Sequence, residues 1–237
     1  MIILLKLLLA HFVGDFMLQP KSWVVDKEEK KIRSVKLFLH FLLHGALVWL
    51  FLWNGNGWYP ALFIALLHGA IDIIKIYGQK GEQKPGWFLI DQAFHLISIA
   101  AIWFLWFKPT ITLPPLQDNS VIWIYATALV FITVVSGIVI QVVMSKWTDT
   151  LNSSRDESLN NAGKYIGILE RLLIFTFVVT GHWEAIGFLM AAKSVFRFGD
   201  LKESKERKLT EYILIGTLLS FGIAMIAGII VVKLVAV

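Results

Sequence analysis

Long apolar runs separated by short polar connections set the pattern of this chain. The runs cover residues 2–18, 35–53, 59–77, 87–107, 121–144, 166–180, 183–198 and 211–235. Most approach the roughly 20 apolar residues that a helix needs to cross a bilayer. The runs at 166–180 and 183–198 are short and joined by Gly181-His182. They read either as two tightly connected spans or as one re-entrant hairpin. Pro60, Pro85, Pro109, Pro114 and Pro115 fall in or beside connections, where a missing N–H does least harm. The pattern predicts an all-α fold, a polytopic transmembrane helix bundle of about seven or eight helices. It divides into a four-helix part, residues 1–107, and a C-terminal module, residues 108–237, which contains a polar linker at 145–164. The first run continues through His11 and Asp15 without a small-residue cleavage site, so it reads as a retained span and not a signal peptide.

Composition agrees with the pattern and removes several function classes. Hydrophobic residues make up 57% of the 237 positions and charged ones 16%, with a mean hydropathy of +0.69. There is no Cys, which excludes disulfides, thiolate metal ligands and Cys nucleophiles. The net charge of +5 comes from basic residues clustered between apolar runs, so a nucleic-acid partner is not expected. Lys and Arg alternate from connection to connection. Residues 21–36 hold six, 54–58 none, and Lys75, Lys80 and Lys84 flank the next. Lys108 alone marks the one after, and the later basic groups fall in 145–164 and 202–208. By the positive-inside rule the N-terminus faces outside and the basic loops face the cytoplasm.

Four i,i+4 pairs, one on each of the first four runs, carry the candidate chemistry: His11/Asp15, His40/His44, His68/Asp72 and Asp91/His95. Residues four apart share a helix face, so each pair projects in one direction. The first and third runs both read His-x-x-x-Asp, as in a duplicated helical hairpin. Counted from the cytoplasmic ends, Asp15, His40, Asp72 and Asp91 lie roughly 4–8 Å deep at 1.5 Å per residue. His11, His44, His68 and His95 lie roughly 10–14 Å deep on the same count. An Asp at a helix centre costs about 2.5–3.5 kcal/mol on insertion scales, so the three should face the bundle interior and find partners. Imidazole and carboxylate at helical spacing form a ligand set for Zn, Mn or Fe, and facing helices can build a site for one or two ions. All eight residues are candidate ligands. A metal-free network of His–Asp hydrogen bonds stays open beside that reading, and a haem site would leave the Asp residues without a role.

In the C-terminal module, Glu170, Arg171, Lys193 and Arg197 sit near cytoplasmic helix ends. They either pair locally and snorkel to the interface, or the bases hold an anionic head group, for which the planar Arg fork is suited. His182, beside Trp183, reads as an interface residue. Gly216/Ser220 and Ala224/Gly228 are small-xxx-small spacings that favour close helix contact.

The stretches LLLAHFVGDFMLQ, HFLLH, HGAID and FLIDQAFHL, within roughly residues 1–107, resemble the bacterial membrane-protein family called domain of unknown function 3307. The later stretches YIGILERLLIF, AAKSVFRFGDLKE and EYILIGTLLSF look like the C-terminal half of longer members. The resemblance implies a bacterial inner-membrane location and no established activity. The His-x-x-x-Asp helices are also similar to those of predicted membrane-bound metal-dependent hydrolases. The leading expectation is therefore a metal-dependent hydrolase or transferase acting on a lipid-linked, phosphorylated substrate. A metal or proton transporter and a non-enzymatic scaffold or sensor are the alternatives, and a homo-oligomeric state is left open.

Overall fold

The computed structural model describes residues 1–53, 57–81, 84–109, 118–148, 162–195 and 204–236. Every regular element among them is helical. In chain order these are α1 (Ile2–Phe12), α2 (Lys21–Lys30), α3 (Val35–Leu52), α4 (Trp58–Gly78), α5 (Lys84–Phe107), α6 (Asp118–Val130), α7 (Ser136–Thr148), α8 (Ala162–Thr180), α9 (Trp183–Val195) and α10 (Ser204–Val235). Single π-turns extend α1 over Val13–Met17 and join α6 to α7 over Phe131–Val135. The helical, membrane-type fold expected from the sequence is the one observed.

By length and composition, five helices among the described residues suffice to cross a membrane: 35–52, 58–78, 84–107, 120–145 and 208–235. A sixth is added if residues 2–17 and 21–33, bent by 83° at their junction, count as one broken span. The chain is thus a membrane protein, with five or six full-length spans among its described residues beside the seven or eight apolar runs of the sequence. Three runs fall short for physical reasons. The first ends at Met17 and turns sharply at Pro20. Helix α8 carries Lys164, Glu170 and Arg171, and the described part of α9, Trp183–Val195, covers only about 20 Å.

The chain forms two compact units, Met1–Val130 and Phe131–Val237. The first extends beyond the expected boundary at 107 because α6 packs on α1. Lys6 lies 4.7 Å over the Trp123 ring, Phe51 meets Trp123, and the Thr127 hydroxyl reaches the Leu5 carbonyl. Most of the expected linker, residues 149–161, lies outside the described residues.

Within the first unit, the buried stripes follow helical spacing: Leu37, His40, His44, Val48 and Leu52 on α3, and Ile64, His68, Asp72 and Ile76 on α4. Leu39, Leu42, Leu50, Leu62, Leu66 and Ile97 are exposed on the outer faces. Lipid is the solvent that accepts such an inside-out arrangement. Pro60 and Pro85 sit in the first turns of α4 and α5, where no intrahelical N–H is lost. Ser34 caps α3 by accepting from the Leu37 amide, and its hydroxyl donates to Asp26 of α2. Below the polar residues of the stripes, Leu7, Ala10, Val48, Leu52, Ala61, Ile64 and Ile99 form one apolar core. In the second unit, Ile174, Val178, Ile186, Phe221 and Ala224 form another. There Gly228 of α10 lies against Val178, so close that a Cβ would stand 2.8 Å from the valine's.

Candidate metal centre

The eight His and Asp residues of α1 and its π-turn, α3, α4 and α5 converge in one buried cluster. His11, His40, His44, His68, Asp72, Asp91 and His95 are each at most 4% exposed. The deeper four form a ring of imidazoles. His44 stacks on His68 at 3.6 Å and His68 on His95 at 3.9 Å, while His11 lies 5.2 Å from His95 and 5.7 Å from His44.

Asp15 is the hub. Its Oδ1 lies 3.1 Å from Nε2 of His40, 3.0 Å from that of His44 and 3.3 Å from that of His68. Its Oδ2 is 3.9 Å from His11 Nε2 and accepts from the Gln92 amide at 2.8 Å. One ligand atom from each of His11, Asp15, His44 and His68 lies within 4.8 Å of all the others. His40, His68 and Asp72 meet the same condition, as do Asp72, Asp91 and His95.

The π-turn aims the hub. One extra residue in the turn swings Asp15 off a regular α-helical track, a distortion often found at functional sites. Gly14, inside that turn, lets the His44 ring approach the backbone. A Cβ at position 14 would stand 2.5 Å from His44 Cε1 and Nε2. Gly14→Ala is therefore expected to push His44 aside and weaken metal binding by about tenfold, at the low end of what misaligned ligands cost. Metal titration of the purified variant checks this, and unchanged affinity would mean that His44 is no ligand.

Counting protons separates two descriptions of the cluster. A ring nitrogen carries at most one hydrogen. Yet His40 Nε2 lies 3.0 Å from His68 Nε2, 3.1 Å from Asp15 Oδ1 and 3.0 Å from the Gln19 amide nitrogen. Two facing ring nitrogens can share only one proton, so these contacts cannot all be hydrogen bonds at once. His11 Nδ1, His40 Nδ1, His95 Nε2 and Asp91 Oδ1 are buried without a hydrogen-bond partner. Each such atom costs about 1–3 kcal/mol. A cation accepts lone pairs from several donors together. The Oδ1–Nε2 separations also lie near the roughly 3.4 Å between donor atoms around a tetrahedral ion with 2.0–2.1 Å bonds.

Four functional side chains escape the i,i+4 pattern. Lys27 of α2 is buried and donates to Asp72 Oδ2 at 2.6 Å. Lys75, one turn beyond Asp72, donates to Asp91 Oδ2 at 2.7 Å. Gln92 bridges His11 and Asp15, and Gln19 reaches His40. The sequence signal for Gln92 is its place beside Asp91. Lys27 gives none, because it stands in a run of exposed bases.

Glu170, Arg171 and Lys193 belong to the second unit. Arg171 is buried, and its guanidinium donates to the carbonyls of Ile132 and Thr133 and to the Ser220 hydroxyl. Lys193 and Glu170 form an ion pair at 2.6 Å. Arg197 lies outside the described residues. His182 is exposed and meets the Thr180 hydroxyl.

These features define a helical membrane protein with a buried His/Asp cluster in its N-terminal unit. A family model described as protein of unknown function (DUF3307) matches residues 3–131, more than half of the chain, and the protein belongs to that family. The match ends within one residue of the first compact unit and so includes every residue of the cluster. No curated protein and no solved structure matches the chain.

Proposed function

We propose that the protein is a metal-dependent membrane hydrolase or transferase, with Asp15 and the imidazoles of His11, His44 and His68 holding a divalent transition metal. The observation that carries the metal is the meeting of the His44 and His68 Nε2 atoms, beside that of His40, at one Asp15 oxygen with fewer protons available than contacts, while His11 brings a fourth ligand atom within 4.8 Å of those of Asp15, His44 and His68. Zn, Mn and Fe all suit a nitrogen-rich site with one carboxylate. Such an ion activates water or polarises a phosphoryl oxygen. A His or Asp outside the coordination shell would serve as general base, for which His40 at 3.1 Å from Asp15 is well positioned.

The substrate we infer is anionic and lipid-linked. Basic residues 21–36 border the cluster on the side of α2, and by the positive-inside rule that side is cytoplasmic, in a plasma-type inner membrane. Helix α2 buries Lys27 while exposing Val24 and Val25, the orientation of a helix lying against acyl chains. A transporter is the weaker reading, because the apolar core beneath the cluster offers an ion no polar step.

Elemental analysis of detergent-purified protein tests the centre. Wild type should retain about one transition metal per chain, and His68→Ala, which removes a ligand common to two of the candidate groups, should lose it. Metal-dependent phosphate release from a lipid-linked phosphate in micelles tests the reaction. Absence of metal in both proteins, even after metal is added back, would leave a purely structural His–Asp network.

A further inference from the structure

The cluster holds three carboxylates but only one without a cation beside it. Lys27 caps Asp72 and Lys75 caps Asp91, whereas Asp15 meets imidazoles and the Gln92 amide. The two capped carboxylates belong, with His95, to a second set of possible ligands. In that set the lysines take the outer oxygens. The inner ones, Asp72 Oδ1 and Asp91 Oδ1, lie 3.7 Å and 3.3 Å from His95 Nε2. Asp91 Oδ1 and His95 Nε2, both buried, make no hydrogen bond and meet each other only at ion-pair distance, so both stay available to a cation that would bind them together.

We propose that Asp72, Asp91 and His95 form a latent second cation site, whose loading is blocked by the Lys27 ammonium that α2 delivers to Asp72. The inference rests on the metal centre proposed above and specifies its stoichiometry. A divalent ion bound to Asp72 would sit about 2.0–2.2 Å from a carboxylate oxygen. The ammonium lies 2.6 Å from the other oxygen of that carboxylate, so the two cations would repel across a few ångströms of buried space.

The two lysines differ in what holds them. Lys75 is on α4 itself, one turn from Asp72, so its backbone is fixed with the site. Lys27 comes from a separate short helix, entered at the 83° bend and tied down by few polar contacts. Besides Lys27 itself these are the Ser34 hydroxyl with Asp26, Glu28 with Gln79 and Lys84, and Lys36 over the Trp23 ring, with the Lys31 ammonium on the Ile76 carbonyl just after the helix. Withdrawal of α2 removes a positive charge from the site, and a second divalent ion can then take its place. The charge facing Asp72 would change from one to two, which is the difference between a mononuclear and a dinuclear centre.

Co2+ titration of the purified chain in detergent, followed by the visible absorption of the bound ion, tests this. Wild type should saturate at one equivalent. Lys27→Met, which keeps the length of the side chain without its charge, should saturate at two, and Lys27→Arg at one. Lys27→Gln leaves Asp72 a neutral donor and should also reach two, which guards against a folding defect in the methionine variant. Gel filtration monitors the fold of each. One equivalent in wild type and in both neutral variants overturns the proposal while leaving the first centre standing. Two equivalents in wild type overturn it as well. No binding by wild type overturns the first centre, and this inference with it.

Discussion

Asp15→Asn is expected to abolish tight metal binding, weakening it by about a thousandfold or more. Changes to residues that merely orient a ligand already cost about 10–100-fold, and Asp15 is the carboxylate to which three imidazole nitrogens converge. The asparagine keeps the volume and one oxygen but loses the charge that offsets a divalent ion. Asp72 and Asp91 cannot replace it, since each is occupied by an ammonium group. Competition with a chromophoric chelator measures the loss. Glu would not restore binding, because Gly14 and the π-turn set the reach to His44 for a side chain one methylene shorter. Retention of wild-type affinity by Asp15→Asn would remove the centre from this carboxylate.

The second large effect is expected on stability, at Arg171. A π-turn leaves backbone carbonyls poorly matched to the amides of the next turn, and in Phe131–Val135 two of them, Ile132 and Thr133, accept from the Arg171 guanidinium. Ser220 of α10 accepts a third bond at 3.2 Å. Room for the planar group exists because Gly137 and Gly167 lack a Cβ. One there would lie 3.1 Å and 3.2 Å from the guanidinium nitrogens. Arg171→Ala deletes three charge-assisted hydrogen bonds and opens a cavity among four helical segments. Hydrogen bonds within membranes average near 0.6 kcal/mol and reach about 1.7, so the loss should total about 2–4 kcal/mol. Arg171→Lys should recover less than half, because a single ammonium cannot span the same acceptors. Denaturation in mixed micelles measures both. Metal content should stay at the wild-type level in each variant, since Arg171 contributes no ligand. A change below about 0.5 kcal/mol for alanine would show that the π-turn holds without its arginine.

Much of the site was legible because helical periodicity is so regular. Pairs four residues apart on one face must point together, and three carboxylates in a bilayer must turn inward. That is why His40 and His44, or His68 and Asp72, could be named as one constellation before any coordinates. Lys27 could not. Its neighbours Lys30 and Arg33 are exposed bases, and only the 83° turn after Met17 carries position 27 back over α4. Arg171 illustrates the same limit. Its sequence position suits a head-group ligand, but its donors are engaged by carbonyls that become available only at a distant π-turn.

The sequence by itself determined the helical membrane fold, the faces of the first four long runs and the identity of the ionisable groups. Each of these follows from local periodicity and from the cost of burying charge in lipid. Tertiary structure decided which runs are full spans, where α2 folds back, and which carboxylate has no lysine beside it. Those outcomes depend on contacts between residues such as Lys27 and Asp72, 45 positions apart, whose meeting no local pattern encodes.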